Sequence, residues 1–173
     1  MNGKQFLQSE FWILSWNASV NRSGVYELGG DPEERSNFRE GLVDYIETEI
    51  LPAYQKKVRE EEHFKHLRTL VKAGNRIGKS VLGPDGYRFG VAQKLLNLQL
   101  KYLWCSKFIP EPPHCPVDRV MINKTVLKNQ VAWTRMTSVN EYKKVIAAMR
   151  TEADKQNLSL ARWELEVFDR RDA

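Results

Sequence analysis

The chain is short of several residue types, and each shortage excludes something. Among 173 residues there are two cysteines, Cys105 and Cys115. Two thiols cannot build the disulfide framework of a small secreted domain, and such sparing use fits a reducing compartment. Glycine and proline together number 17, below the average share of about 12%, which excludes collagen-like and linker-like chains. Long hydrophobic runs are missing as well. The longest near the start is Phe11-Trp12-Ile13-Leu14, far short of the ~20 apolar residues that span a bilayer. No basic segment or small-residue cleavage site accompanies it, so no signal peptide is expected. Histidine is scarce: His63, His66 and His114, with the two cysteines, contain no Cys-x-x-Cys pair, and His114 and Cys115 are adjacent, which is poor zinc-ligand spacing. No metal and no cofactor are expected. What is present, 42% hydrophobic and 28% charged residues, is enough to bury a core without staples. The expectation is one soluble, cytoplasmic, monomeric domain with no membrane contact.

The net charge of +5 conceals an asymmetry. Residues 1–50 carry 4 lysines and arginines against 9 acids, residues 51–130 carry 15 against 6, and residues 131–173 carry 8 against 7. Between His63 and Pro110 nine basic residues, among them Arg76, Lys79, Arg88, Lys94 and Lys101, face the single acid Asp85. Such a field attracts polyanions and releases their counterions on binding, so nucleic acid is the expected partner. The alternative is a set of solvated helix faces balanced across the fold.

No segment alternates with period two, and the spacing predicts an all-α fold. Residues 4–16 read as a helix, followed by a loop with Gly24, Gly29 and Gly30. Asp31-Pro32-Glu33-Glu34 is a helix start, with Asp as cap, Pro in the first turn and acids at the positive end. Phe38, Leu42, Ile46 and Ile50 then recur every fourth residue until Pro52. A helix is expected from Ala53 to about Lys72 with Gly74 as its cap, a short one over 76–82, and a turn at Gly83-Pro84-Asp85-Gly86. A strong helix runs from Gly90 to Lys107. Pro110, Pro112, Pro113 and Pro116 make a stiff connection, Asp118 opens another helix, Ser138-x-x-Glu141 is a capping box, and a last helix covers Ser159 to Phe168. The expected organisation is one helical domain. Acidic helices occupy 1–50, a basic hairpin and central helix 63–107, a Pro-rich loop and Asp-capped helix 108–130, and C-terminal helices 138–170.

The Gly90–Lys107 helix is apolar over most of its circumference. At about 100° per residue, Gly90, Lys94, Asn97 and Lys101 form one polar stripe, so the helix belongs in the core with that stripe at a surface or cleft. A lysine flanked by low-dielectric material has a lowered pKa and a freer amine. Ala73-Gly74-Asn75-Arg76-Ile77-Gly78-Lys79-Ser80 fits a relaxed phosphate-loop pattern. However, the charged residues before it make a poor buried strand, and Gly83-Pro84 leaves almost no helix behind it.

Gly90-Val91-Ala92-Gln93-Lys94-Leu95-Leu96-Asn97, followed by His114-Cys115-Pro116-Val117-Asp118-Arg119, resembles the helix–hairpin–helix DNA glycosylase superfamily. That superfamily includes endonuclease III, the adenine-specific glycosylases and the archaeal 8-oxoguanine glycosylases. The resemblance covers about residues 83–125. The usual Leu-Pro-Gly-x-Gly hairpin is replaced by Gly86-Tyr87-Arg88-Phe89-Gly90, and the four-cysteine iron–sulfur cluster of some members is absent. The resemblance implies a compact multi-helix domain in which a helix–hairpin–helix element leads into a central buried helix. It implies that Lys94 is a nucleophile attacking C1′ and that Asp118 stabilises an oxocarbenium-like sugar, in excising a damaged or modified base flipped out of duplex DNA. Gly86, Arg88, Gly90, Asn97, Lys101, Arg76 and Lys79 are the expected DNA contacts, with hairpin amides holding a phosphate. Tyr87, Phe89, Trp104 and His114 are the candidate base pocket. Two alternatives remain open at this point: a non-catalytic DNA-binding module on the same hairpin, and an interaction protein whose acidic first third docks a basic surface.

Overall fold

The structure is a computed structural model that describes residues 2–169. It is all-helical: α1 (Gly3–Ala18), α2 (Pro32–Tyr45), α3 (Glu60–Ile77), α4 (Phe89–Cys105), α5 (Arg119–Asn123), α6 (Val139–Asp154) and α7 (Leu160–Val167), with single 3₁₀ turns at Val20–Arg22 and Trp133–Arg135. The sole strand-like pairing among the described residues is one bridge between Tyr26 and Leu82. No described helix is long and apolar enough to cross a membrane.

Local chemistry sets the helix starts. Asn2 and Gln5 cap α1 reciprocally at 2.9 and 2.8 Å. Asp31 accepts from the Glu33 amide with Pro32 in the first turn, and Ser138 and Glu141 form the expected capping box. Phe38, Leu42, Ile46 and Ile50 are all buried, as their fourfold recurrence predicts. The backbone does not stay α-helical under them: after Tyr45 it widens into a π turn at Ile46–Ile50 and tightens into a 3₁₀ turn at Leu51–Gln55, around Pro52.

The expected helix from Ala53 to Lys72 is corrected by the structure. The chain turns extended at Lys56, and α3 starts only at Glu60, where three glutamates sit at the positive helix end. Gly74 does not cap α3 but lies inside it, because the ring of Tyr87 packs where a side chain would stand. Asn75 then accepts from the Tyr87 amide and donates to its carbonyl, at 2.9 and 3.0 Å. No separate helix exists at 76–82, since α3 runs on to Ile77 and Gly78 caps it. The phosphate-loop-like residues therefore lie at the negative end of a helix, the wrong end for an anion.

α4 is the axis of the molecule. Twelve of its seventeen residues are buried. Trp12 and Trp16 of α1, Phe64 and Leu67 of α3, Tyr142 and Val145 of α6, and Trp163 of α7 belong to the same core. One arc of α4 escapes this cover.

Candidate active site

Along that arc a cleft of about 810 Å³ opens between α1, α4, the start of α5 and the Trp133–Arg135 turn. Lys94 projects into it. Its Nζ lies 3.3 Å from Asp118 Oδ2 and 4.3 Å from the centroid of the Trp133 ring. The two side chains of the pair are only 8% and 14% exposed. Burial lowers the pKa of Lys94, while the charge and hydrogen bond of Asp118 act in the opposite direction and Arg22 adds a further lowering. Trp133, itself almost fully buried, presents its π face to the amine.

Asp118 is held in place by two separate devices. Its Oδ1 accepts from the Met121 amide at 3.1 Å, so the carboxylate caps α5 and leaves Oδ2 to Lys94. The residue before it is clamped by Gln93. Gln93 Oε1 accepts from the Val117 amide at 3.1 Å, and Nε2 donates to the Val117 carbonyl at 2.7 Å and to the Gly90 carbonyl at 2.9 Å. A carboxamide used in this way acts as a strand partner for a single residue. It ties Val117-Asp118 to the turn of α4 that carries Lys94. Sequence reasoning passed over Gln93, although a polar residue at the edge of the stripe, next to Asn97, was the available signal.

Two helical turns further along α4, about 10.5 Å by helix rise, Lys101 Nζ meets the Glu164 carboxylate at 2.8 and 2.7 Å and stands 4.9 Å from the Phe168 ring centroid. Burial raises the pKa of Glu164, and Lys101 works against that rise. The cleft thus has an amine–carboxylate pair at each end, with Tyr102, Trp133 and Phe168 among its walls and the exposed Arg22 and Arg119 in its lining. Trp133, Glu164, Phe168 and Arg22 were not foreseen.

Other expected site residues lie elsewhere, for definite reasons. The Gly86 amide donates to the Gly83 carbonyl and the Gly90 amide to the Met136 carbonyl, both at 2.9 Å, so neither is open to a phosphate. Arg88 is buried and acts as a staple, donating at 2.6 Å to both the Thr134 and Ser23 carbonyls and pairing with Asp85. Arg76 and Lys79 are exposed around the end of α3 but do not line the cleft. Tyr87 and Phe89 are core residues, and Trp104 borders a separate shallow hollow with Lys107 and Phe108.

Asn97 and His114 are fully buried in a polar network rather than in a base pocket. Asn97 Nδ2 donates to Gln93 Oε1 at 3.3 Å and to the Tyr142 hydroxyl at 3.0 Å. His114 Nδ1 lies 2.9 Å from that hydroxyl and its Nε2 lies 2.7 Å from Glu60 Oε1. The neutral tautomer with its proton on Nε2 satisfies both, accepting from Tyr142 and donating to Glu60. His63 stacks edge-on against His114 at 4.7 Å and pairs with the Tyr54 hydroxyl at 2.6 Å. Burial pushes the pKa of His63 well down, with His114 and His66 adding to it, and brings that of His114 to about 3, with Arg150 adding to the effect. Among the described residues no group of His, Cys, Asp and Glu is placed to hold a metal ion.

Two histidines kept neutral by the fold make stability fall in acid. Their folded pKa values lie below the unfolded value near 6.5, so the unfolded chain binds the extra protons. Stability is complete above pH ~6.5 and declines below it, by up to about 1.4 kcal/mol per pH unit for each histidine. Urea midpoints measured from pH 6.5 to 5, above the range of ordinary carboxylates, are expected to fall in the wild type. The fall should be shallower in His114→Gln, where His63 and the less strongly lowered His66 still contribute. An unchanged slope in that variant would mean that His114 is not held neutral.

Comparison of the chain with protein-family models, with curated proteins and with solved structures gives no match. What the cleft can do is set by its own residues.

Proposed function

We propose that this chain is a DNA glycosylase with an abasic-site lyase step, acting as a monomer on duplex DNA in the cytoplasm and excising a damaged or modified base. One observation carries the reading. Lys94 and Asp118, 24 positions apart in sequence and each suggested by a separate local pattern, meet at 3.3 Å, both largely buried, on the wall of a cleft large enough for a nucleotide.

The chemistry follows from the pair. As the N-glycosidic bond breaks, the base leaves with the bonding electrons and takes up a proton, and positive charge develops over C1′ and O4′ of the sugar. The Asp118 carboxylate, shielded from water, lowers the energy of that cation. The unprotonated Lys94 amine attacks C1′, loses a proton, and opens the ring to an imine. Loss of a C2′ proton then expels the 3′ phosphate, and water hydrolyses the imine to release the enzyme. Burial of Lys94 raises the share of amine available for attack, while Asp118 moderates that share. The aromatic walls suit a flipped base, and the Lys101–Glu164 pair offers it one donor and one acceptor at the far end.

The test is reductive trapping. Duplexes carrying a panel of damaged and modified bases, with an abasic duplex alongside, are incubated with the protein and borohydride. A covalent adduct that forms together with base release, and disappears in Lys94→Ala, is the expected result. Base release without adduct, lost in Asp118→Asn, would leave a monofunctional glycosylase. Salt-sensitive binding with neither product would replace the enzyme by a binding module.

A further inference from the structure

The hairpin amides are spent on the protein itself, so a DNA backbone must be held by another part of the surface. The segment leading away from Asp118 has the required chemistry. From Arg119 to Asn140 the sequence contains Arg119, Lys124, Lys128 and Arg135 and no Asp or Glu. Its two ends both reach the cleft: Asp118, Arg119 and Val120 line it at one end, and Trp133 and Thr134 at the other. Arg119, Lys128 and Arg135 are exposed, as is Arg22 in the lining contributed by the turn after α1.

The loop between these ends is already folded. Buried Thr125 donates to the Ile122 carbonyl at 2.8 Å and accepts from the Leu127 amide at 3.1 Å. The Asn129 amide donates to Asn123 Oδ1, and the Lys128 and Gln130 amides return to Thr125 and Leu127. This framework holds Val126 out at 75% exposure between Lys124 and Lys128. Val126 is thus an exposed apolar side chain on a folded loop, with a lysine two positions to either side in sequence. It suits a base stack flanked by phosphates, where apolar wedges fill or pry open a step.

We propose that the Arg119–Arg135 segment, with Arg22 beside its Trp133–Thr134 end, is the rim that grips the DNA backbone beside the cleft, and that Val126 enters the stack left by the flipped base. The proposal rests on the DNA reading above, but it concerns binding and not chemistry. It departs from the face singled out by the charge run at 63–110, since Arg76 and Lys79 lie off the cleft.

Affinity for a duplex bearing a non-reactive abasic analogue is measured from 50 to 200 mM salt. Three proteins are compared: the wild type, the rim triple variant Arg119→Gln/Lys128→Gln/Arg135→Gln, and a control triple variant on α3, Lys65→Gln/Lys72→Gln/Arg76→Gln. Both triple variants remove the same charge, and their melting temperatures check folding. Each lost phosphate contact flattens the slope of log K against log[salt] by about 0.9. The rim variant is therefore expected to lose two to three units of slope and at least tenfold in affinity, with the α3 variant near the wild type. Val126→Ala is expected to keep the slope and to weaken duplex binding several-fold, with single-strand binding unchanged. Equal losses in both triple variants, or a loss confined to the α3 variant, would overturn the rim. A rim-specific loss in a protein that never traps DNA through Lys94 would leave the grip standing and remove the glycosylase. A wild type that does not bind DNA in a salt-sensitive way would overturn both.

Discussion

Asp118→Asn is expected to slow base release by about two to three orders of magnitude while shifting capture of abasic aldehydes by Lys94 to lower pH. The two effects have opposite signs because the carboxylate does two things. On the proposed mechanism it would stabilise the cationic sugar, and it partly offsets the lowering that burial imposes on the pKa of the neighbouring amine. Replacing it with a neutral amide removes both, so excision is expected to fail while the amine, left to desolvation and the charge of Arg22, loses its proton more readily. Asparagine caps helices as well as aspartate does, and its side-chain oxygen can still accept from the Met121 amide. The fold should therefore survive, with a melting temperature close to wild type. Single-turnover base release on the best duplex of the panel, and borohydride trapping on an abasic duplex across pH, measure the two readouts separately. Unchanged base release would remove Asp118 from the chemistry. A trapping profile that stays in place would mean that the pair does not set the state of the amine.

That the pair could be found at all reflects where its information lies. Lys94 and Asp118 each sit in a local pattern, a polar residue on an apolar helix and an acid at a helix start, and local patterns are written in consecutive residues. The same holds for the caps at Asp31 and Ser138. What covers each side of a helix is not local, and there the sequence misled. On α4, at about 100° per residue, Asn97 lies about 60° to one side of Lys94 and Leu98 about 40° to the other. The spacing grouped Asn97 with Lys94 as a single polar stripe. In the fold α6 covers the Asn97 side through Tyr142, and the open arc runs through Lys94, Leu98 and Lys101. Polarity on a helix marks either a solvent face or a buried network, and periodicity alone does not distinguish them.

The aromatic and basic residues around Gly90 were misread for a related reason. Tyr87, Phe89 and Arg88 are close in sequence to Lys94, but the chain enters α4 from the core side, and Arg88 spends its guanidinium on two carbonyls from distant loops. The unforeseen groups that join Lys94, Lys101 and Asp118 in the cleft include Arg22, Trp133, Glu164 and Phe168. Of these only Glu164 left a trace in the sequence, as an acid on the face of α7 that also carries Leu160, Ala161 and Trp163. Buried carboxylates are rare without a partner, and Lys101 is that partner. The polar side of α4 supports the site rather than forming it. Gln93 and Asn97 join the Val117 backbone to Tyr142, His114 and Glu60, so the position of Asp118 is fixed from the core outward, as a preorganised site requires.

Gly90→Ala is expected to destabilise the protein by roughly 3 kcal/mol, a drop of about 6–12 °C in melting temperature for a chain of this length. The cause is a close approach of two backbones. A Cβ at Gly90 would overlap the Trp133 carbonyl oxygen and lie 2.9 Å from its carbon, with Met136 Cβ at 3.2 Å. Neither Trp133 atom is the end of a flexible side chain, so relief requires the Trp133–Arg135 turn to retreat from α4. Retreat stretches the 2.9 Å bond from the Gly90 amide to Met136 and the 2.6 Å bond from Arg88 to Thr134. It also carries the Trp133 ring away from Lys94, admitting water to the amine. Surviving folded protein should therefore trap an abasic duplex with a pH profile moved upward, toward that of an ordinary lysine, because hydration restores the charged form. This is the opposite of the shift expected for Asp118→Asn, so the two variants together separate the effect of burial on Lys94 from that of its partner. An alanine variant that melted with the wild type would show that the turn yields without cost. The cover over Lys94 would then depend on Arg88 and not on the missing side chain of Gly90.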